Sequence, residues 1–280
     1  MSFVSFPDCL SGGVYNLGEI YQNMHELKLH FSREELHEAT RLRHVLNQNI
    51  DVLDGDFWPQ DGFGIPYENT FSSLLGSDSF NDVLSRRSSR HVLDLFGGGY
   101  FLGDAPFDTM TGVRLKNIDA DYMRYCSLNN KTRQGWWSDQ SSLSINTLKA
   151  LMNNPKRTII EGDAYGKALW NKVSDHMTQS GIPYIDLLVC RPHGPFNWET
   201  MIDSSIPVAA RRIIFQQLIT HACRLLSPHG GLLFSQIPTP QLYLELPTEY
   251  YISDFDGETS LQITALPNKD ILKIERNLLE

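Results

Sequence analysis

A short apolar run that contains one aspartate is followed by three glycines near the end of the first third of the chain. Val92 to Phe96 are mostly aliphatic or aromatic, with Asp94 among them, and three glycines follow at Gly97–Gly99. A buried strand, a glycine turn and a helix start are how an α/β sheet presents its backbone to a nucleotide-like ligand. Glycine suits such a turn because it has no Cβ and accepts positive φ. The pattern therefore predicts a ligand-binding turn at 97–99.

A second acidic position follows at Asp119, after the predicted strand 113–118. Its spacing from Asp94 suits a strand–helix–strand unit with a carboxylate at the end of the second strand. Such a carboxylate can accept hydrogen bonds from both hydroxyls of a ribose. The alternative is a solvated aspartate in a surface turn.

A polar turn, Arg191 to Asn197, follows the apolar run 184–190. An unperturbed imidazole titrates near pH 6.5, so His193 is a candidate to take a proton from a hydroxyl or amine substrate. Arg191 and Asn197 flank it and are candidates to orient a carboxylate or carbonyl. The alternative is a loop histidine that hydrogen-bonds the backbone.

The elements that must position these residues alternate between apolar strands and amphipathic helices. This order predicts a Rossmann-like, doubly wound α/β fold with a mostly parallel sheet and a C-terminal antiparallel hairpin. The predicted strands are 92–96, 113–118, 157–164, 184–190 and 232–236, the hairpin strands are 261–265 and 270–275, and the main helices are 144–152 and 207–226.

Residues 1–88 are predicted to be a mostly helical extension, and residues 89–280 the sheet domain. The apolar spacing from Leu17 to Phe31 and a capping box at Ser32–Glu35 support two early helices. The segment 57–67, FWPQDGFGIPY, is either a loop packed over the core or a lid over a ligand. We expect the extension to cover the open side of the ligand site.

Composition narrows the class of protein. The chain has 280 residues, 41% of them hydrophobic, and a formal net charge of −9, which disfavours non-specific attraction to nucleic acid. No apolar run reaches membrane-spanning length, and the amino terminus lacks a secretory pattern. Four scattered cysteines without a CxxC pair favour reduced thiols in the cytoplasm.

Histidines 30, 37 and 44 do not predict a metal site. Seven residues of helix rise about 10.5 Å, too far for successive ligands of one ion.

Five segments in this order resemble the motifs of the class I S-adenosylmethionine-dependent methyltransferases. The resemblance runs from about His91 to the carboxyl end. Aligned on Asp94, the family's glycine positions fall on Phe96, Gly98 and Tyr100. The segments are VLDLFGGG, Ile118-Asp119, EGDA at 161–164, YIDLLVCRP at 184–192 and RLLSPHGGLLFSQ at 224–236.

The resemblance implies S-adenosyl-L-methionine as cofactor and assigns roles around it. The methionine end would lie against the 94–99 segment, the ribose at Asp119 and the adenine at Asp163. The expected acceptor is a small molecule or a protein side chain, with His193, Arg191 and Asn197 facing it. The expected cofactor-binding residues are Asp94, Phe96, Gly97, Gly98, Gly99, Asp119, Ala120, Asp163, Ala164 and Arg191.

Four alternatives stay open. A cytosine-C5 DNA methyltransferase needs a Pro-Cys nucleophile, whereas Cys190 here precedes Arg191-Pro192. The amino-methylating nucleic-acid enzymes carry a (D/N)PPY-like tetrapeptide where this chain has RPHGPF. A nicotinamide dehydrogenase would use Gly97-x-Gly99-x-x-Leu102 as its fingerprint. The fourth alternative is a methyltransferase fold that binds a ligand or partner without chemistry.

Overall fold

One eight-stranded sheet organises the part of the chain that the computed structural model describes. The described residues are 67–100, 102, 105–114, 119, 145–162, 164, 167–190, 221–236, 249–253, 258–266 and 271–279. The strands are β1 (His91–Leu95), β2 (Thr109–Arg114), β3 (Arg157–Glu161), β4 (Leu187–Cys190), β5 (His229–Gln236), β6 (Glu249–Ser253), β7 (Thr259–Leu266) and β8 (Ile271–Leu278).

The sheet has the order β3-β2-β1-β4-β5-β8-β7-β6. Strands β3, β2, β1, β4 and β5 are parallel, which confirms the predicted parallel α/β sheet. The chain passes from β1 to β2 and β3 on one side, then returns to β4 and β5 on the other. The crevice between the carboxyl ends of β1 and β4 is therefore the topological switch point, where open α/β sheets bind ligands.

The predicted C-terminal hairpin is confirmed. Strands β7 and β8 pair in antiparallel fashion, and β8 pairs with β5, also antiparallel. Buried and partly exposed side chains alternate along β7, as expected for a strand with one face on the core. The edge strand β6 pairs with β7 and was not predicted from the sequence.

The second strand was predicted at 113–118 but lies at Thr109–Arg114. Gly112 made this stretch a poor strand candidate, because glycine weakens a strand interior. The structure explains why this strand contains a glycine. A Cβ on Gly112 would lie 2.9 Å from the carbonyl oxygen of Gly97 and 3.1 Å from Cα of Gly98. The chain after β1 therefore folds back over β2, and its described residues form turns instead of the expected helix.

Four helices are bounded within the described ranges. They are α1 (Tyr67–Leu75), α2 (Phe80–Ser85), α3 (Ile145–Met152) and α4 (Lys167–Gln179). The predicted helix 144–152 is confirmed as α3, and residues 221–225 of the predicted helix 207–226 are helical. A capping box at Ser79 and Asp82 starts α2. The sequence did not predict α1 or α4.

Helices α1 and α2 bury their aromatic residues on one face of the sheet. Phe71 and Phe80 lie against Phe234 of β5, with ring centroids 5.6 and 5.5 Å apart. Val92 belongs to the same core cluster. Because side chains alternate along a strand, Asp94 points to this face as well, toward α1.

Several predicted features lie outside the described residues: the helices before residue 57, the segment 57–66 and the turn 191–197. Among the helices that the structure does describe, none combines the length and apolarity needed to cross a bilayer.

Candidate functional site

The glycine turn lies at the switch point, immediately after β1. The N–H of Phe96 donates to the carbonyl of Val113 at 2.8 Å, and the N–H of Gly97 donates to the carbonyl of Asp94 at 3.3 Å. Phe96 has φ of 67° and Gly99 has φ of 79°. Phe96 therefore takes a backbone conformation that glycine adopts without strain, at a position where the resembling family carries glycine.

The chain's own side chains occupy the space next to each glycine of this turn. A Cβ on Gly97 would lie 2.1 Å from the Asp94 carboxylate, and one on Gly98 would lie 2.8 Å from Nη2 of Arg157. A Cβ on Gly99 would lie 2.6 Å from the Met110 methyl group. From the sequence, we expected the space left by the absent Cβ atoms to be taken by a ligand. In the structure, protein atoms lie beside those positions instead.

Asp94 holds the turn from inside the core. Its side chain is fully buried. The Tyr67 hydroxyl donates to Oδ1 at 2.6 Å, and the Gly99 N–H donates to Oδ2 at 2.6 Å. The structure thus places Asp94 beneath the turn, where it links the first residue of α1 to the last glycine.

Asp119 lies beside the same turn and is joined to it by Arg157. The Arg157 guanidinium donates from Nη1 and Nη2 to the two Asp119 oxygens, both at 2.7 Å. Its Nε donates to the Gly98 carbonyl at 2.9 Å. The Tyr100 hydroxyl also donates to Asp119. Arg157 is therefore the side chain that brings the predicted ribose carboxylate to the predicted cofactor loop.

The network is shielded from water, and this shielding strengthens the electrostatic interactions between its charged groups. The side chain of Arg157 is 4% exposed and that of Asp119 is 20% exposed. Burial acts to raise the pKa of Asp119, but the hydrogen bonds from Arg157 and Tyr100 outweigh it and lower that pKa. Burial raises the pKa of Tyr100 above its usual range, so its hydroxyl stays protonated and donates.

Asp119 has little hydrogen-bonding capacity left. A carboxylate offers about four acceptor positions. Arg157 and Tyr100 fill three of them. Two ribose hydroxyls would bind here only if Asp119 released one of the partners that it now has.

Cys190, the last residue of β4, is buried next to the switch point. Burial raises the pKa of its thiol to about 12, and the nearby Asp94 charge acts in the same direction. A neutral, buried thiol is a poor nucleophile. This environment weighs against the cytosine-C5 alternative, which needs a cysteine thiolate in this region.

Of the remaining predicted site residues, the structure describes one, Ala164. Ala164 is buried, and its carbonyl accepts a hydrogen bond from the Trp170 indole at 2.8 Å. Outside the described residues lie Ala120, Asp163, Arg191, His193 and Asn197.

Sequence reasoning missed Arg157, Tyr100 and the contact that Tyr67 makes. No local signal distinguishes Arg157, the first residue of an edge strand, from an ordinary basic residue at such a position. In the described ranges, no group of three or more His, Cys, Asp or Glu residues is arranged to hold a metal ion.

Comparison with known proteins finds no matching protein family and no matching curated protein. Three solved structures are similar in outline. The S-adenosylmethionine-bound amino pentose methyltransferase CalS10 of Micromonospora echinaspora has 12% identity and a TM-score of 0.28, over 76% of this chain and 69% of that chain.

An S-adenosylmethionine-dependent methyltransferase of Clostridium acetobutylicum has 11% identity and a TM-score of 0.32, over 86% of this chain and 99% of that one. DesVI of Streptomyces venezuelae has 11% identity and a TM-score of 0.28, over 77% and 85%. These TM-scores are too low to support a function for this chain.

Proposed function

We propose that this protein is an S-adenosylmethionine-dependent methyltransferase that acts on a small molecule or a protein side chain. One observation carries the proposal: the turn 96–99 follows β1 at the β1/β4 switch point, and Arg157 joins it to Asp119. The five resembling segments supply the same order along the chain. The net charge of −9 favours a small-molecule or protein acceptor over nucleic acid.

The end of the sheet argues against the dehydrogenase alternative. In the dinucleotide-binding order, a sixth strand continues beyond the fifth in a sheet that is mostly parallel. Here the neighbour of β5 is β8, which runs antiparallel and belongs to a hairpin with β7. The glycine spacing of the nicotinamide fingerprint also ends at Leu102 instead of glycine or alanine.

The proposed cofactor fits the residues at the switch point if one contact rearranges. Asp119 would hold the ribose after Tyr100 or Arg157 releases a hydrogen bond, with Asp163 and Ala164 on the adenine side. The turn Phe96–Gly99 would face the methionine end. When bound, the cofactor supplies an activated methyl group, so the protein's task is to align the acceptor and exclude water.

The acceptor side is assigned to the turn after β4. His193 would accept the proton that the acceptor loses, and Arg191 and Asn197 would orient the acceptor. The support is that these residues follow β4 in the sequence, and that the carboxyl end of β4 lies beside that of β1, which the turn 96–99 follows.

A second candidate is a methyltransferase-like chain that performs no methyl transfer. The observation that favours it is the closed Arg157–Asp119 pair, which fills the carboxylate that would otherwise hold a ribose. This candidate binds a ligand or partner without methyl transfer, and with Asp119 held by Arg157 that ligand is not S-adenosylmethionine.

Isothermal titration of the full chain with S-adenosylmethionine, S-adenosylhomocysteine and NAD separates the candidates. We expect saturable binding of the first two ligands and none of NAD. Binding of NAD alone would establish the dehydrogenase alternative, and binding of none would favour the chain without chemistry. Mass spectrometry of ligands that co-purify with the protein gives an independent check.

A further inference from the structure

A cavity of about 420 Å³ lies between the helices α1 and α2 and the β5–β8 part of the sheet. This volume is within the range of small-molecule sites. It opens near the amino ends of the strands, since His229 begins β5 and Arg87 and Ser88 precede β1. The cavity is therefore separate from the switch point, which lies at the carboxyl ends.

Part of the cavity lining is apolar. Leu74 of α1 and Val83 of α2 are partly exposed on the helix side, and Leu232 and Phe234 of β5 lie on the sheet side. Phe234 packs edge-on against Phe80. These apolar residues suit an alkyl or aryl group.

The rest of the lining is charged, and most of its charges are paired. Lys273 and Glu275 of β8 lie beside Phe234 and Leu232 of β5, their cross-strand neighbours. Arg86 donates to both oxygens of Asp78 at 2.8 and 2.7 Å, and Nζ of Lys273 lies 3.4 Å from Glu275. Three cations, counting Arg87, face two carboxylates, so the lining has a positive excess in a chain of net charge −9.

Arg87 supplies that excess. Within the described ranges its guanidinium donates a single hydrogen bond, to the carbonyl of His229 at 3.1 Å. Arg86, Arg90 and Arg157 each make two hydrogen bonds to an aspartate instead. Glu275, which also lies near this guanidinium, is engaged by Lys273. Arg87 thus has the planar donor pair that binds a carboxylate in two-point fashion.

We propose that this cavity binds a small organic monocarboxylate, with its carboxylate on Arg87 and its apolar body against Leu74, Val83 and Leu232. The site does not depend on the proposed methyl transfer, because it shares no residue with the switch-point network.

The probes are 3-phenylpropanoate, its neutral analogue 3-phenyl-1-propanol and its cationic analogue 3-phenylpropylamine, each titrated into the full chain. A carboxylate of this size is expected to bind in the millimolar range or tighter. The alcohol and the amine should bind at least about tenfold more weakly, because they cannot use the guanidinium. Equal binding of the alcohol, or no binding of the carboxylate up to about 20 mM, overturns the proposal.

Matched variants locate the site. Arg87→Gln should weaken 3-phenylpropanoate at least about tenfold, whereas Arg90→Gln, which removes a charge directed at Asp108, should leave it unchanged. Methyl NMR of the wild type tests the position without a variant. The signals of Leu74, Val83 and Leu232 should shift, and that of Leu188, on the opposite sheet face, should not. Wild-type affinity in a folded Arg87→Gln protein, or shifts confined to other methyl groups, would refute the assignment.

Discussion

Tyr67 contributes to the site through a single hydroxyl group. It donates at 2.6 Å to a carboxylate that has no access to water, and Tyr67 itself is fully buried. Tyr67→Phe removes this donor and leaves Asp94 short of a partner, so we expect a loss of about 1–3 kcal/mol in the free energy of unfolding. Urea denaturation measures it. Tyr184→Phe is the matched control, because Tyr184 is 42% exposed and should tolerate the change. Equal effects would contradict this role of Tyr67.

The Arg157–Asp119 pair should make stability depend on pH. Its partners lower the pKa of Asp119 in the folded protein. The stabilisation is therefore present above the unfolded-state pKa of about 3.9 and is lost as pH falls through the lower folded-state pKa. The difference in free energy of unfolding between wild type and Asp119→Asn should be largest at neutral pH and shrink in acid.

The control for this experiment is Asp78→Asn. Asp78 has the same two-point contact with arginine, but Arg86 lies in solvent, so the substitution should matter much less. A difference at Asp119 that does not shrink between pH 7 and pH 3 would contradict the lowered pKa of Asp119, and a difference matched by Asp78→Asn would show that burial of the pair adds no stability.

His193 belongs to the residue scale as well, since its proposed role depends on one imidazole. We expect His193→Gln to lower turnover of a methyl acceptor at least about tenfold while S-adenosylmethionine affinity stays the same. The pH profile of the variant should lose the ionisation that the imidazole contributes. Wild-type turnover between about pH 6 and 9 would leave His193 as part of the scaffold.

Strand β2 and the turn 96–99 act as one element, because Gly112 lets the turn pack directly on the strand. Gly112→Ala places a Cβ 2.9 Å from the carbonyl oxygen of Gly97, which is backbone and cannot rotate away. We expect a loss of about 1–3 kcal/mol in the free energy of unfolding together with weaker cofactor binding.

Gly162→Ala is the comparison for Gly112→Ala, since the three atoms nearest to its new Cβ belong to the Leu169 side chain, with Cδ1 at 2.9 Å, and none of them is backbone. Calorimetric unfolding and S-adenosylmethionine titration of both variants measure the difference. Unchanged affinity in Gly112→Ala would separate the turn from cofactor binding.

At the scale of the whole molecule, the described part of the extension, 67–88, packs on the sheet from Tyr67 onward. Helix α1 packs into the core that the sheet forms, so the extension can be removed only up to residue 66. Removal of 1–66 should lower turnover more than cofactor affinity, because these residues are proposed to shape the acceptor pocket. Removal of 1–70 should also lower the free energy of unfolding by about 3–5 kcal/mol, because the core loses the Tyr67 side chain. Thermal unfolding and activity of both truncations test this, and failure of the 1–66 deletion to fold would make the extension structural.

The sequence determined the features that depend on neighbouring residues. The apolar run around Asp94, the helix 145–152 and the C-terminal hairpin are local patterns of period and turn chemistry, and the structure has all three. The order of these patterns was enough to predict a parallel α/β sheet. It was also enough to place the glycine turn after the first strand.

Tertiary structure alone decided how distant residues meet. Tyr67 reaches Asp94, and Arg157 reaches both Gly98 and Asp119, across separations that no local pattern encodes. The same packing decided why Gly112 lies inside a strand and why Arg87 faces a cavity. A local pattern fixes which face of an element is apolar, but the partner of a buried polar group depends on which elements the sheet order brings together.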